Sequence, residues 1–261
     1  MFKFVATITT SSSLLLCLAP SLHAQLVPDT SLPSPSIVTD TPGGQRITGG
    51  TQSGVNLFHS FREFAIPNET RAEFAGLEDV SGVAIERIFS RVTGDHVAKL
   101  DGTLATPENV SFYLIAPNGA VFGENARLEV GRDFVVTTGD RVTFDDGLSF
   151  GLETIGAASL LSVGVPVGLG LGSVGTGDIV NRSRSIDSLG SVVGLQVKAG
   201  QTMEFVGRDL QFEGGFATAI DGQINLTATD TIAVTNSGRV DVSGETGGTI
   251  VISASAFAYD R

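Results

Sequence analysis

Short runs in which apolar and polar residues alternate, each bounded by Gly, Asn or Asp, recur from one end of the chain to the other. A period of two is the signature of a strand with one buried face, so these runs predict strands over Ser111–Ile115, 127–130, 134–138 and Arg141–Phe144. Further runs follow at 202–206, 210–212, 223–227, Thr231–Thr235, 239–243 and Thr249–Ser253. Within them Ile224 and Leu226 fall on one face, with Gln223, Asn225 and Thr227 on the other. Val240 and Val242 oppose Arg239, Asp241 and Ser243 in the same way. One segment departs from this period: Ile85, Ile88, Phe89 and Val92 stand at i, i+3, i+4 and i+7, which predicts a short helix. Residues 25–50, with Pro28, Pro33, Pro35 and Pro42, read as a linker by composition. The glycine-rich stretch 160–177 reads as an extruded loop or hairpin.

Two echoes point to repetition. Val130-Gly131-Arg132-Asp133-Phe134 returns as Val206-Gly207-Arg208-Asp209-Leu210, and Gly222-Gln223-Ile224-Asn225-Leu226 returns as Gly248-Thr249-Ile250-Val251-Ile252. With the even strand spacing they favour a solenoid, whose coils bury their inward side chains against one another. A sandwich or jelly roll gives the same local pattern, and pattern alone leaves that alternative open.

The N-terminus changes the picture of where the chain works. Lys3 precedes an apolar stretch over residues 4–18, and Ala24 offers a cleavage point, so residues 1–24 read as a signal peptide. Hydroxyl residues from Thr7 to Ser13 interrupt the stretch, which argues against a membrane span. Cys17, the only cysteine, would leave with the signal, so the exported chain has to be held by burial and hydrogen bonding alone. Formal charge is −12, and loss of Lys3 makes it −13, which disfavours nucleic acid and anionic lipid as partners. With 17% charged residues, 33 glycines and a positive mean hydropathy, the composition is that of many short strands and tight turns and not of disorder.

Catalytic and metal chemistry find little support. Gly147-Leu148-Ser149-Phe150-Gly151 fits a nucleophile elbow, but His23, His59 and His96 all lie upstream of it, so the order Ser, acid, His cannot be met. Gly170-Leu171-Gly172-Ser173-Val174-Gly175 fits a dinucleotide fingerprint, yet no helix pattern follows. Asp145-Asp146-Gly147 has the composition of a turn as much as of a calcium loop. A polysaccharide-active enzyme would need paired carboxylates beside cations, and the exported chain has two lysines, Lys99 and Lys198, and scattered acids. Neither a catalytic site, a metal site nor a cofactor is expected.

The most specific signal is a series of segments in a fixed order. These are Ile47-Thr48-Gly49-Gly50-Thr51-Gln52, Asn56-Leu57-Phe58-His59-Ser60-Phe61, Arg91-Val92-Thr93-Gly94, Ala116-Pro117-Asn118-Gly119, Phe122-Gly123-Glu124-Asn125-Ala126 and Leu128-Glu129-Val130-Gly131. Together they resemble the haemagglutination-activity domain at the N-terminus of two-partner secretion exoproteins of the filamentous-haemagglutinin type, especially the cyanobacterial ones. Val165-Pro166-Val167-Gly168-Leu169 and 195–201 look like later segments of that family, so the resemblance covers nearly all of the chain beyond the signal.

The resemblance implies an all-β chain, a right-handed parallel β-helix or solenoid with an N-terminal cap and an extruded hairpin or loop. It turns residues 26–50 into strands and cap, and the segment around Ile85 into strand. It also implies an outer-membrane β-barrel transporter whose POTRA domains recognise the chain in the periplasm and pass it to the cell surface or medium. Asn56, Pro117, Asn118 and Gly119 are the residues it offers for that recognition. The family's usual Asn-Pro-Asn-Gly turn has Ala116 in its first position here, while Pro117-Asn118-Gly119 keeps the turn chemistry. The expected organisation is a signal peptide at 1–24, a secretion domain at 25–143, a Gly-rich loop or hairpin at 144–190, and further coils at 191–261 that stop in mid-solenoid. An adhesin with a host-cell or glycan ligand is the function expected of such a protein, without stable membrane insertion. The alternative is a polysaccharide-binding or polysaccharide-active extracellular β-helix.

Overall fold

The computed structural model describes residues 25–76, 83–153, 161–170 and 177–260. The expected signal peptide at 1–24 and most of the Gly170–Gly175 fingerprint lie outside them. Among the described residues every regular element is a strand, and three columns of stacked strands run the length of the molecule.

In the first column Asn56–Ile66 pairs in parallel with Arg87–Val92, and the stack continues through Ser111–Ile115, Phe134–Thr137, Thr202–Gly207, Gln223–Ala228 and Thr249–Ser253. The second runs from the end of Asn56–Ile66 through Ala98–Leu100, Ala120–Phe122, Ile179–Asn181, Leu210–Glu213 and Thr231–Thr235 to Ala256–Tyr259. The third holds Gly44–Gly49, Arg71–Phe74, Thr103–Ala105 and Arg127–Glu129, and then a separate set of Leu195–Gln196, Phe216–Thr218 and Arg239–Asp241. All these pairings are parallel, which makes the chain a parallel β-helix and removes the sandwich and jelly roll.

Alternation supplies the core. Leu57, Ile88, Phe112, Phe134, Met203, Ile224 and Ile250 occupy one register position in successive coils. All but Ile250, in the last coil, are buried, and they join the inward residues of the other two columns in one continuous cluster. Each coil thus lends an apolar rung to the next, the arrangement that makes a solenoid stable only as a stack. The second echo is a true repeat, since Ile224 pairs with Ile250 and Leu226 with Ile252. The first is not: Phe134 pairs with Met203 in the first column, whereas Leu210 pairs with Ile179 in the second. What the two echoed segments share is an aspartate that accepts a backbone N–H from a following coil, Asp133 from Thr202 at 2.9 Å and Asp209 from Thr231 at 3.0 Å.

Composition misleads at residues 25–50. Gln25–Pro28 and Thr51–Ser53 run antiparallel to Asn56–Ile66, and Ser36–Thr41 forms a hairpin with Gly44–Gly49. Its two-residue turn is Pro42-Gly43, with proline's fixed φ followed by Gly43 at φ +90°, so the proline there is turn chemistry and not linker chemistry. These antiparallel strands close the first coil, whose edge would otherwise be open to pairing with another chain.

The helix that spacing alone predicted around Ile85 is absent; Arg87–Val92 is a strand, as the resemblance implied. The spacing misled because this strand is buried on both faces. Ile88 and Val92 point into the solenoid core, while Phe89 belongs to a second cluster outside it. That second core is made by an extruded sheet, of whose three strands among the described residues only Pro166–Gly170 lies in the glycine-rich stretch 160–177. After Thr137 the chain leaves the coil, forms Arg141–Phe144 with Ser149–Gly151 and Pro166–Gly170 antiparallel on either side, and rejoins at Ile179–Asn181. Val142, Phe144 and Phe150 of the hairpin cover Phe58, Phe89 and Ile115 on the outer face of the first column. Phe58 and Phe89 stack at 5.2 Å, Phe89 and Tyr113 at 4.6 Å, and Phe150 tilts against Phe58 at 4.8 Å. The outward ladder Phe58, Phe89, Tyr113, Val135, Glu204, Asn225 turns from aromatic to polar as it leaves this cover.

Candidate functional site

The segments that carried the resemblance converge on three structural devices. The first is the corner turn Ala116–Gly119, where the Gly119 N–H donates to the Ala116 carbonyl at 2.9 Å. Ala116 is buried in the solenoid core, so the position that usually carries Asn here contributes an apolar rung. Pro117 and Gly119 are buried, and Asn118 is exposed at the corner. Its side-chain amide donates to the Gly94 carbonyl of the preceding coil at 2.8 Å. From the following coil, Gly177 donates its N–H to the Pro117 carbonyl at 3.1 Å, and Ala120 N–H reaches the Asp178 carbonyl at 3.0 Å. Gly119 has φ +115°, a region essentially reserved for glycine. Beside the turn Arg208 grips Asp178 through Nε at 3.0 Å and Nη2 at 2.7 Å, and the surface between them is an open groove of about 470 Å³.

Asn56, the other sequence candidate, sits at the opposite end of the first column, in register with Arg87 and, one coil on, Ser111. It is fully buried. Its amide nitrogen donates to the carbonyls of Ser162 and Gly164, at 3.1 and 2.9 Å, and its oxygen accepts from Arg87 at 3.3 Å. Asn56 therefore ties the extruded segment to the coil, and the fold does not bring it together with Pro117, Asn118 and Gly119.

The third device escaped the sequence reading. Arg91 is fully buried; its Nε donates to Ser60 Oγ at 2.8 Å, Nη2 to Ser31 Oγ at 2.7 Å, and Nη1 to the Gly151 carbonyl of the hairpin, while the guanidinium lies 4.9 Å from the Phe150 ring. Asp29 accepts from Ser60 Oγ at 2.7 Å, from Thr93 Oγ1, and from the Ser31 hydroxyl and N–H. Burial pulls the Asp29 carboxyl upward, but those hydrogen bonds outweigh it and hold it below the usual range. Burial lowers the Arg91 guanidinium, and Asp29 counters it. His59 next door is also fully buried, with Nδ1 2.9 Å from Ser36 Oγ and no hydrogen-bond partner for Nε2 among the described residues. Burial pushes its pKa down to about 3, so it serves as a neutral aromatic between Phe61 and Phe74. Arg91, Thr93, Ser60 and His59 were visible as motif letters; the meeting of Ser60 and Thr93 with Asp29, and of Arg91 with Ser31 and Ser60, was not.

The residues weighed for catalysis and metal binding are otherwise employed. Ser149 lies on a strand of the extruded sheet and not at a strand-to-helix elbow. Asp146 accepts from Ser162 Oγ at 2.7 Å and Leu148 N–H at 2.9 Å, and Asp145 accepts from Val165 N–H at 3.0 Å. Both carboxylates brace the hairpin. Among the described residues no three His, Cys, Asp or Glu side chains group as metal ligands would.

Residues 24–259 match the family model of the TPS secretion domain. Among solved structures the chain is similar to one described as the crystal structure of filamentous hemagglutinin secretion domain, at 14% identity and a TM-score of 0.42, over 90% of this chain and 96% of that one. No curated protein matches it in sequence. Since the matched residues run from the edge of the cap strands to the last coil, the chain belongs to the family of two-partner secretion (TPS) domains.

Proposed function

We propose that this domain is the address of an exported adhesin: residues 1–24 carry it into the periplasm, POTRA domains of an outer-membrane β-barrel recognise it, and the barrel passes it outside. The observation that carries the reading is the family match over residues 24–259, the span that also includes every segment of the ordered motif series. In the folded chain those segments are mostly internal, so recognition before folding reads Asn56 and the Ala116–Gly119 turn as extended sequence. Asn118 is the member of the set that stays exposed after folding. The role needs no catalytic group and no cofactor. Deleting the partner barrel tests it: the chain should accumulate in the periplasm with its signal removed, and unchanged export would overturn the assignment.

A further inference from the structure

The cover over the outer face of the first column ends abruptly. Among the described residues Pro166–Gly170 is the last strand of the extruded sheet, bonded to Arg141–Phe144 on one side only. Beyond its free edge lies a groove of about 440 Å³ floored by Tyr113, Val135, Glu204 and Val206 of successive coils. Proteins blunt such edges with charge, yet here Val163, Val165 and Val167 stand 63%, 47% and 64% exposed along the segment, and only Pro166 interrupts it. The ionisable groups lining the groove, Tyr113, Asp133 and Glu204, offer no positive charge. Asp133 is engaged by Ser111 Oγ and the Thr202 N–H, at 3.2 and 2.9 Å. Glu204 has no ion pair or hydrogen bond among the described residues, and burial in the groove raises its pKa.

We propose that this groove takes an extended basic peptide segment of another protein, added as a fourth strand beside Pro166–Gly170 with a lysine or arginine on Glu204. An added strand lies about 4.8 Å from the edge strand, which sets it over Val135 and Val206, and alternate residues then face this floor. The acidity of the whole chain, net −12, steers a basic segment toward it. A second copy of the chain fits worse, because edge-to-edge pairing brings one Glu204 toward another.

Fluorescence anisotropy of the exported, purified protein tests this with a labelled peptide of alternating valine and threonine carrying a central arginine, and with the same peptide carrying glutamate. The arginine peptide binds saturably and the glutamate peptide about tenfold more weakly. Glu204→Gln removes most of that preference without lowering thermal stability, since it relieves a desolvated charge. Val167→Lys, a charge placed on the edge, weakens the arginine peptide as well. Equal binding of both peptides, unchanged discrimination in Glu204→Gln, or a dimer by light scattering that Val167→Lys dissolves would each overturn the proposal.

Discussion

Replacing Gly119 by alanine and Asn118 by alanine separates what the corner turn does for the fold from what it does for export. At φ +115° an L side chain is strained by about 1–3 kcal/mol. A Cβ there would also stand 2.9 Å from the Asp178 carbonyl oxygen, closer than such contacts occur. That oxygen is held by the Ala120 N–H, so moving it aside forfeits a bond of about 1 kcal/mol. Gly119→Ala should therefore cost about 2–4 kcal/mol, a large share of the roughly 5–15 kcal/mol that stabilises a domain. Asn118→Ala loses one exposed hydrogen bond to Gly94 and should cost about 0.5–1 kcal/mol. Urea midpoints measured beside the fraction of protein in the medium decide between the roles. If Asn118 is read by the transporter, its loss lowers export more than the far more destabilising Gly119→Ala does. An unchanged midpoint for Gly119→Ala would refute the steric argument, and normal export of Asn118→Ala would remove Asn118 from the recognition site.

Acid should weaken the fold through His59: its folded pKa, about 3, lies below the ordinary 6.5, so the unfolded chain alone binds the proton and stability falls between those values as pH drops, by up to about 1.4 kcal/mol per unit. Urea midpoints at successive pH values check this, and His59→Phe should flatten the slope, leaving the loss at lower pH due to the depressed Asp29 carboxyl. Arg91→Met should cost about 3–5 kcal/mol by removing the three hydrogen bonds that the buried guanidinium donates, to Ser60, Ser31 and the Gly151 carbonyl, together with the positive charge that Asp29 faces, and adding Asp29→Asn should recover part of it; additive midpoint shifts would mean that the two are not coupled. Asn56→Ala should release residues 162–164 from the coil and make the hairpin the first site of proteolytic cleavage, which peptide mapping of a limited digest reads directly.

The fold was legible wherever a strand has one wet face. Ile224 and Leu226 against Gln223 and Asn225 gave both the strand and the side that faces inward. Legibility failed at Arg87–Val92, where Phe89 and Arg91 are covered from outside by a hairpin some 60 residues downstream, so two buried faces imitate a helical stripe. It failed again at the cap, because prolines that build turns have the composition of a linker. The residues proposed for recognition could be named from the ordered motif series, but not their separation: Asn56 and Asn118 bear the same amide, and only the stacking shows one buried under the hairpin and the other out at a corner.

The second core also sets an order of events. A coil closes against its neighbour over roughly two dozen residues, whereas docking the extruded segment joins Asn56 to Ser162 and Gly164, and Ser53 to Leu161, across 106–108 residues. Loop entropy makes that long closure about 1.3 kcal/mol more costly than coil stacking, and topology makes it slower. Coils can therefore stack while Phe58 and Phe89 still face water, and those rings dry only when the hairpin arrives. The chain has no tryptophan and two tyrosines, of which Tyr113 packs against that second core and Tyr259 is exposed. Tyr113 emission thus marks the late step, a built-in clock that distinguishes a stacked solenoid from a finished one.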